Sequence, residues 1–140
     1  MEPLQPPPQA QHKLDSDGQV FIWEAGPGLI AERGVGLLTL PLARFFIEFL
    51  APLVVPGTRW DFFADLEQVT GYTREAREQL SAFSLDRLSS LGAVHFLISS
   101  KFVALGLSSY RDDIGDGRVH VYSERASFLR SFADAVQARR

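Results

Sequence analysis

The chain has 140 residues, 46% hydrophobic and 22% charged, with a formal net charge of -3, which fits one small domain able to bury a core of its own. It contains no cysteine. That excludes thiolate nucleophiles, cysteine-ligated metal centres and disulfide frameworks together, and makes a reducing cytoplasm the expected compartment. Fourteen basic and 17 acidic residues, with no long block of one sign, leave no electrostatic footprint for a nucleic-acid backbone.

Residues 1–18 carry Pro3, Pro6, Pro7 and Pro8, several glutamines and the polar run Asp15-Ser16-Asp17-Gly18. They are expected to form a disordered tail, too poor in apolar surface to offset ordering. The stretch after Met1 has neither a basic start nor an apolar run, so no secretory signal is expected. The folded unit then spans 19–140. It opens with a hairpin: Val20-Phe21-Ile22-Trp23, the turn Gly26-Pro27-Gly28, then Leu29-Ile30-Ala31-Glu32-Arg33. Thr39 is placed to cap a helix from Leu40 to Ala51, with Pro41 tolerated in its first turn. Arg44 and Glu48 share one face of that helix, while Leu42, Phe45, Phe46, Phe49, Leu50 and Leu53 wrap most of the rest.

Pro56-Gly57 ends this segment, and Arg59 to Leu66 reads as a largely buried strand with Asp65 near its carboxyl end. Thr70-Gly71-Tyr72-Thr73 is expected to turn, and Thr73 to cap a helix beginning at Arg74. Ala76, Leu80 and Phe83, then Leu85, Leu88 and Leu91, continue the helical pattern to Gly92, across a kink near Ser84. Ala93 to Ile98 is a continuous apolar strand, covered on both faces. A short helix follows from Phe102 to about Tyr110. Gly115-Asp116-Gly117 marks a turn, Arg118 to Tyr122 a last strand, and Ser123 the cap of a final helix whose end carries Arg139-Arg140. The expected architecture is α/β: a mixed five-stranded sheet with an N-terminal hairpin and about four helices.

From Val20 to Ala138 this order of elements resembles the STAS-like family, which includes sulfate-transporter carboxyl-terminal domains and bacterial anti-sigma-factor antagonists. Trp60-Asp61-Phe62-Phe63-Ala64-Asp65-Leu66 and Thr73-Arg74-Glu75-Ala76-Arg77 are similar to the family's strand ending in aspartate and its following helix. Val121-Tyr122-Ser123-Glu124-Arg125-Ala126 is similar to its passage from last strand to last helix in bacterial members of unknown function. The antagonists' Asp-Ser-Ser-Gly-like stretch is replaced here by Val69-Thr70-Gly71-Tyr72-Thr73. The resemblance therefore leaves Thr73, ahead of Thr70, as the hydroxyl available for modification. It implies a non-enzymatic, regulatory protein-interaction module without a cofactor.

In open α/β sheets ligands collect beyond the carboxyl ends of the strands. That rule places Asp65, Thr70, Tyr72, Thr73, Arg74, Arg77, Ser99, Ser100 and Lys101 on a candidate rim for docking a partner protein. A receiver domain would need an acidic pair after its first strand and a lysine after its last, and those places read Ala25-Gly26-Pro27 and Tyr122-Ser123. His12, His95 and His120 fall in the tail and on two strands, a spacing that makes no metal site, and no serine sits in a nucleophile elbow. A hydrolase using Ser99 or Ser100 would need a histidine within hydrogen-bond reach.

The apolar stretch from Leu37 to Val55 approaches membrane-spanning length, but Arg44, Glu48, Pro41 and Pro52 argue against a span. Phe45, Phe46, Phe49 and Leu53 exceed what one sheet face covers, which points to a patch for a twin subunit, a partner protein or an acyl chain. The alternative function is thus a carrier of a small apolar ligand, with Phe45, Phe49 and Phe63 lining a pocket of about 300 Å³ or more under the first helix.

Overall fold

The computed structural model describes residues 4–115 and 117–139; residues 1–3 of the expected tail, Asp116 of the expected turn and Arg140 lie outside the described residues. The elements are β1 (Gln11–Leu14), β2 (Gly18–Gly26), β3 (Leu29–Leu38), α1 (Leu40–Leu50), β4 (Trp60–Tyr72), α2 (Arg74–Asp86), β5 (Leu91–Ile98), α3 (Lys101–Ile114), β6 (Val119–Tyr122) and α4 (Arg125–Gln137). The sheet has six strands, not five, and their spatial order is their chain order. Strands β1 to β3 pair antiparallel and β3 to β6 parallel.

This order decides where the helices go. Each parallel crossover moves one strand along in the same direction, and the right-handed rule then puts α1, α2 and α3 on one face. Helix α4, after β6, folds back onto the other. Alternation along β4 serves both faces. Phe62, Ala64 and Leu66 join the clusters under α1, α2 and α3, whereas Phe63 packs with Trp23, Leu29, Leu97 and Phe128 under α4.

The added strand lies inside the expected tail. β1 pairs with β2, His12 stacks on Phe21 at 4.1 Å, and Leu4 is buried beside Trp23 and Phe128. The expected hairpin is present, with Gly28 at φ +69° in its turn. Four local expectations are corrected. β4 runs on to Tyr72, because Gly71 and Tyr72 pair with Leu37 and Leu38 of β3, so Thr70 to Tyr72 is strand rather than turn. The helix from Arg74 stops at Asp86, and a single 3₁₀ turn at Leu88–Ser90 leads into β5 one residue before Gly92. Thr39 accepts no capping bond; its hydroxyl donates to Asp15 instead. Ser123 is likewise not the cap of α4, which begins after Glu124.

Helix α3 approaches β4 closely. At Gly106 a Cβ would overlap the ring and hydroxyl of Tyr72, whose hydroxyl donates to the Val103 carbonyl at 3.1 Å. Replacing Gly106 by valine is expected to push α3 away and cost about 1–3 kcal/mol. A urea midpoint lowered at unchanged m-value would record it.

Candidate functional site

Two helices begin beside each other where β4 and β5 end. Thr73 Oγ1 accepts from the Ala76 amide at 3.2 Å and caps α2; Ser100 Oγ accepts from the Phe102 and Val103 amides and caps α3. Ser100 Oγ also donates to the Thr70 carbonyl at 3.3 Å, and Ser99 Oγ to the Glu67 carbonyl at 2.6 Å. The structure therefore brings Thr70, Tyr72, Thr73, Ser99, Ser100 and Lys101 onto one rim. The hydroxyls of Tyr72, Thr73, Ser99 and Ser100 are engaged with backbone, and those of Thr73 and Ser100 play the capping role that such residues ordinarily play. Arg74 lies on the exposed face of α2 and pairs with Glu78 at 2.8 Å, while Arg77 is half-buried one turn further in.

Asp65 is not on that rim. It is 2% exposed on the α4 face and accepts from the Leu4 amide at 3.0 Å and from Arg125 Nη1 at 2.9 Å. Arg125, in the first turn of α4, also bonds Glu67 at 2.5 Å. At the other end of the helix Arg139 bonds Asp61 at 2.6 Å. Asp61, Asp65 and Glu67 thus clamp α4 to β4 at both its ends. Burial alone would lower the pKa of Arg125, but its bonds to Asp65 and Glu67 outweigh that and raise it. The physical reason for the correction is strand length: β4 continues seven residues beyond Asp65, to Tyr72.

Between the clamps runs an aromatic row. Phe63, His95 and His120 sit in register on β4, β5 and β6, with ring centroids 4.0 Å and 4.7 Å apart. His95 Nδ1 meets the Tyr122 hydroxyl at 2.8 Å. Burial, then the charge of His120, lowers the His95 pKa to about 4, so the ring is neutral in the physiological range. Neither Ser99 nor Ser100 meets a histidine; both face backbone carbonyls.

The expected apolar patch on α1 is absorbed by the fold. Phe45, Phe46, Phe49 and Leu53 are half-buried and packed on the core, because α2 lies against α1 and covers what the sheet does not. Among the described residues the two most exposed large apolar side chains are on α3. Phe102 is 75% and Leu105 71% exposed, one helical turn apart and next to Lys101. The sequence signal for this was the apolar character of Phe102 to Leu107 all around the helix, more than a single buried face needs.

A cavity of about 120 Å³ lies between the sheet and α1, α2 and α3. Its walls are mostly apolar and include Phe46 and Phe63 but neither Phe45 nor Phe49. It is smaller than the roughly 300 Å³ at which sites for drug-sized ligands begin. Glu32 borders it. Among the described residues, no helix is long and apolar enough to cross a membrane.

No family model matches the chain, and no curated protein matches its sequence. Among solved structures it is similar to an uncharacterized protein of the DUF3478 family from Shewanella loihica PV-4, described as having a SpoIIAA-like fold. The likeness has a TM-score of 0.59 at 12% identity and covers 86% of this chain and 90% of that one. At that identity the likeness is one of fold, and the four helices on a mixed sheet agree with it. The chain therefore has the SpoIIAA-like, STAS-like α/β fold.

Proposed function

We propose that the protein is a non-enzymatic, STAS-like regulatory module that docks a partner protein on α3 and the adjoining strand-end rim. The observation that carries this reading is the pair Phe102 and Leu105, 75% and 71% exposed on one helical face. Large apolar side chains rimmed by polar residues are the usual anchors of a protein interface. Here Lys101, Thr70, Thr73 and Arg74 supply the polar rim. Thr73 is the regulatory position in this reading. A phosphate there would add negative charge at the start of α2, favourable to the helix and repulsive to an acidic partner. A twin subunit is one form the partner can take.

The test is quantitative co-purification with the native chain, an F102S/L105S variant and a T73E variant. Loss of both anchors is expected to weaken partner capture by about 30-fold or more, while stability stays within about 0.5 kcal/mol because both side chains are solvent-exposed. Recovery of the same proteins in the same amounts by all three chains would defeat the proposal. The acyl-carrier alternative finds too little room: the cavity of about 120 Å³ holds no long chain unless the helices move apart.

A further inference from the structure

Glu32 lies on β3 between Ile22 of β2 and Ala64 of β4, its register partners, so its side chain is on the face covered by α1, α2 and α3. Ile22 and Ala64 are buried members of the core there, and Glu32 borders the cavity. Among the described residues it has no hydrogen-bond or ion-pair partner. Asp65 shows what this fold does with a buried carboxylate it needs for packing: it supplies an arginine. Nothing of the kind meets Glu32. A half-buried carboxyl that borders an apolar cavity without a partner is a cost that leucine or methionine would remove at similar volume.

The other polar groups along the cavity are mostly engaged. Tyr110 and Ser84 bond each other at 2.9 Å, Tyr72 donates to the Val103 carbonyl, and Arg87 donates to the carbonyls of Ala51 and Val54. Arg77 lines the α2 side. Glu32 is thus the one carboxyl along mostly apolar walls, which also carry Ser81 and Arg77. We propose that the cavity is a binding site for a small apolar amine, whose ammonium group Glu32 receives and whose hydrocarbon body fills the space beneath the three helices. Its volume sets the size. An apolar cavity of about 150 Å³ accepts a benzene ring, so about 120 Å³ suits a five-carbon ring or a short branched chain. This site is independent of the docking surface on α3.

Binding carries a pH signature. Burial pushes the Glu32 carboxyl up to about 8, and burial pushes both Tyr72 and Tyr110 up to about 12. Glu32 is therefore the group along the cavity that titrates in the neutral range. Because an ammonium ion needs the carboxylate, binding below about pH 8 displaces a proton, and affinity falls about tenfold for each unit of acidification.

Calorimetric titration of the full chain with cyclopentylamine, cyclopentanol and cyclopentanecarboxylate, from about pH 6 to about pH 8, tests the assignment. The amine is expected to bind best, with affinity rising about tenfold per pH unit. In Glu32→Gln it should bind at least about tenfold more weakly at the upper pH, without the slope, while cyclopentanol is unaffected. Three results would overturn the proposal: no uptake of amine at about 10 mM, an amine affinity indifferent to pH, or the alcohol or carboxylate binding as tightly as the amine. The carboxylate outcome would point to Arg77. The pH series on the native chain needs no variant to fold.

Discussion

Replacing Arg125 by methionine is expected to lower the unfolding free energy by about 3–5 kcal/mol, the cost of leaving a buried charge without its partner. Asp65, 2% exposed, would keep only the amides of Leu4 and Glu67. Glu67 would lose the same guanidinium, and α4 its tie to β4 at the amino end. Lysine at this position should recover only part of the loss, since one ammonium cannot span two carboxylates as a planar guanidinium does. Replacing both Asp65 and Arg125 by leucine and methionine should cost far less than the sum of the single changes, because the charge then left unpaired, on Glu67, is the more exposed of the two carboxylates. Urea denaturation of the native chain, R125M, R125K, D65L and D65L/R125M checks this. A single R125M variant within about 1 kcal/mol of the native protein would show that the clamp does not hold α4.

Glu32→Gln should do the opposite and stabilise the protein, by about 2–4 kcal/mol above pH 8. The carboxyl ionises near pH 4.5 when unfolded and near 8 when folded, with burial as the cause. Below the first value both states are protonated and ionisation costs folding nothing. Between the two the unfolded chain gives up its proton first, so native stability falls as pH rises, and above the second the full cost is present. His95 acts in the other direction. Its pKa drops from 6.5 to about 4 on folding, so the unfolded chain binds more protons in that window and stability rises with pH across it. The two slopes cancel between about pH 4.5 and about 6.5, so the native protein is expected to hold a stability plateau there and to lose stability from about pH 6.5 to about 8. Glu32→Gln should keep the rise and lose the later fall. Denaturation midpoints measured from about pH 4 to about pH 9 separate the two effects, and a variant curve parallel to the native one would remove Glu32 from the ledger of ionised groups.

The sheet and its crossover helices were legible because each carries a local signal: aromatic and β-branched runs for β2 to β5, capping hydroxyls at Thr73 and Ser100, and helical spacing in α1, α2 and α4. What was not legible depended on partners far along the chain. β1 owes its existence to pairing with β2 and to the stacking of His12 on Phe21, which a proline-rich composition does not announce. Thr70-Gly71 has turn chemistry, yet β3 holds Gly71 in a strand. Asp65 was visible as a carboxylate in an apolar run. Such a residue demands a cation, but with several arginines in the chain, spacing could not single out Arg125, 60 positions away.

Glu32 was within reach of the sequence. Alternation along Leu29 to Arg33 puts it in phase with Ile30, on an inward face, and a charge in that phase is the signal for a functional or costly group. The apolar excess of α1 was read as unpartnered because the packing of α2 against it is tertiary. On α3 the same excess remains outside, and the proposed docking surface rests on it.

The proposal of α3 as the working face and α4 as the closed, self-paired one is tested most directly by hydrogen exchange on the chain with and without a protein that co-purifies with it. Slowed exchange is expected over 70–77 and 99–109, with 125–137 unchanged. Protection confined to 125–137, with 99–109 exchanging as in the free chain, would contradict it.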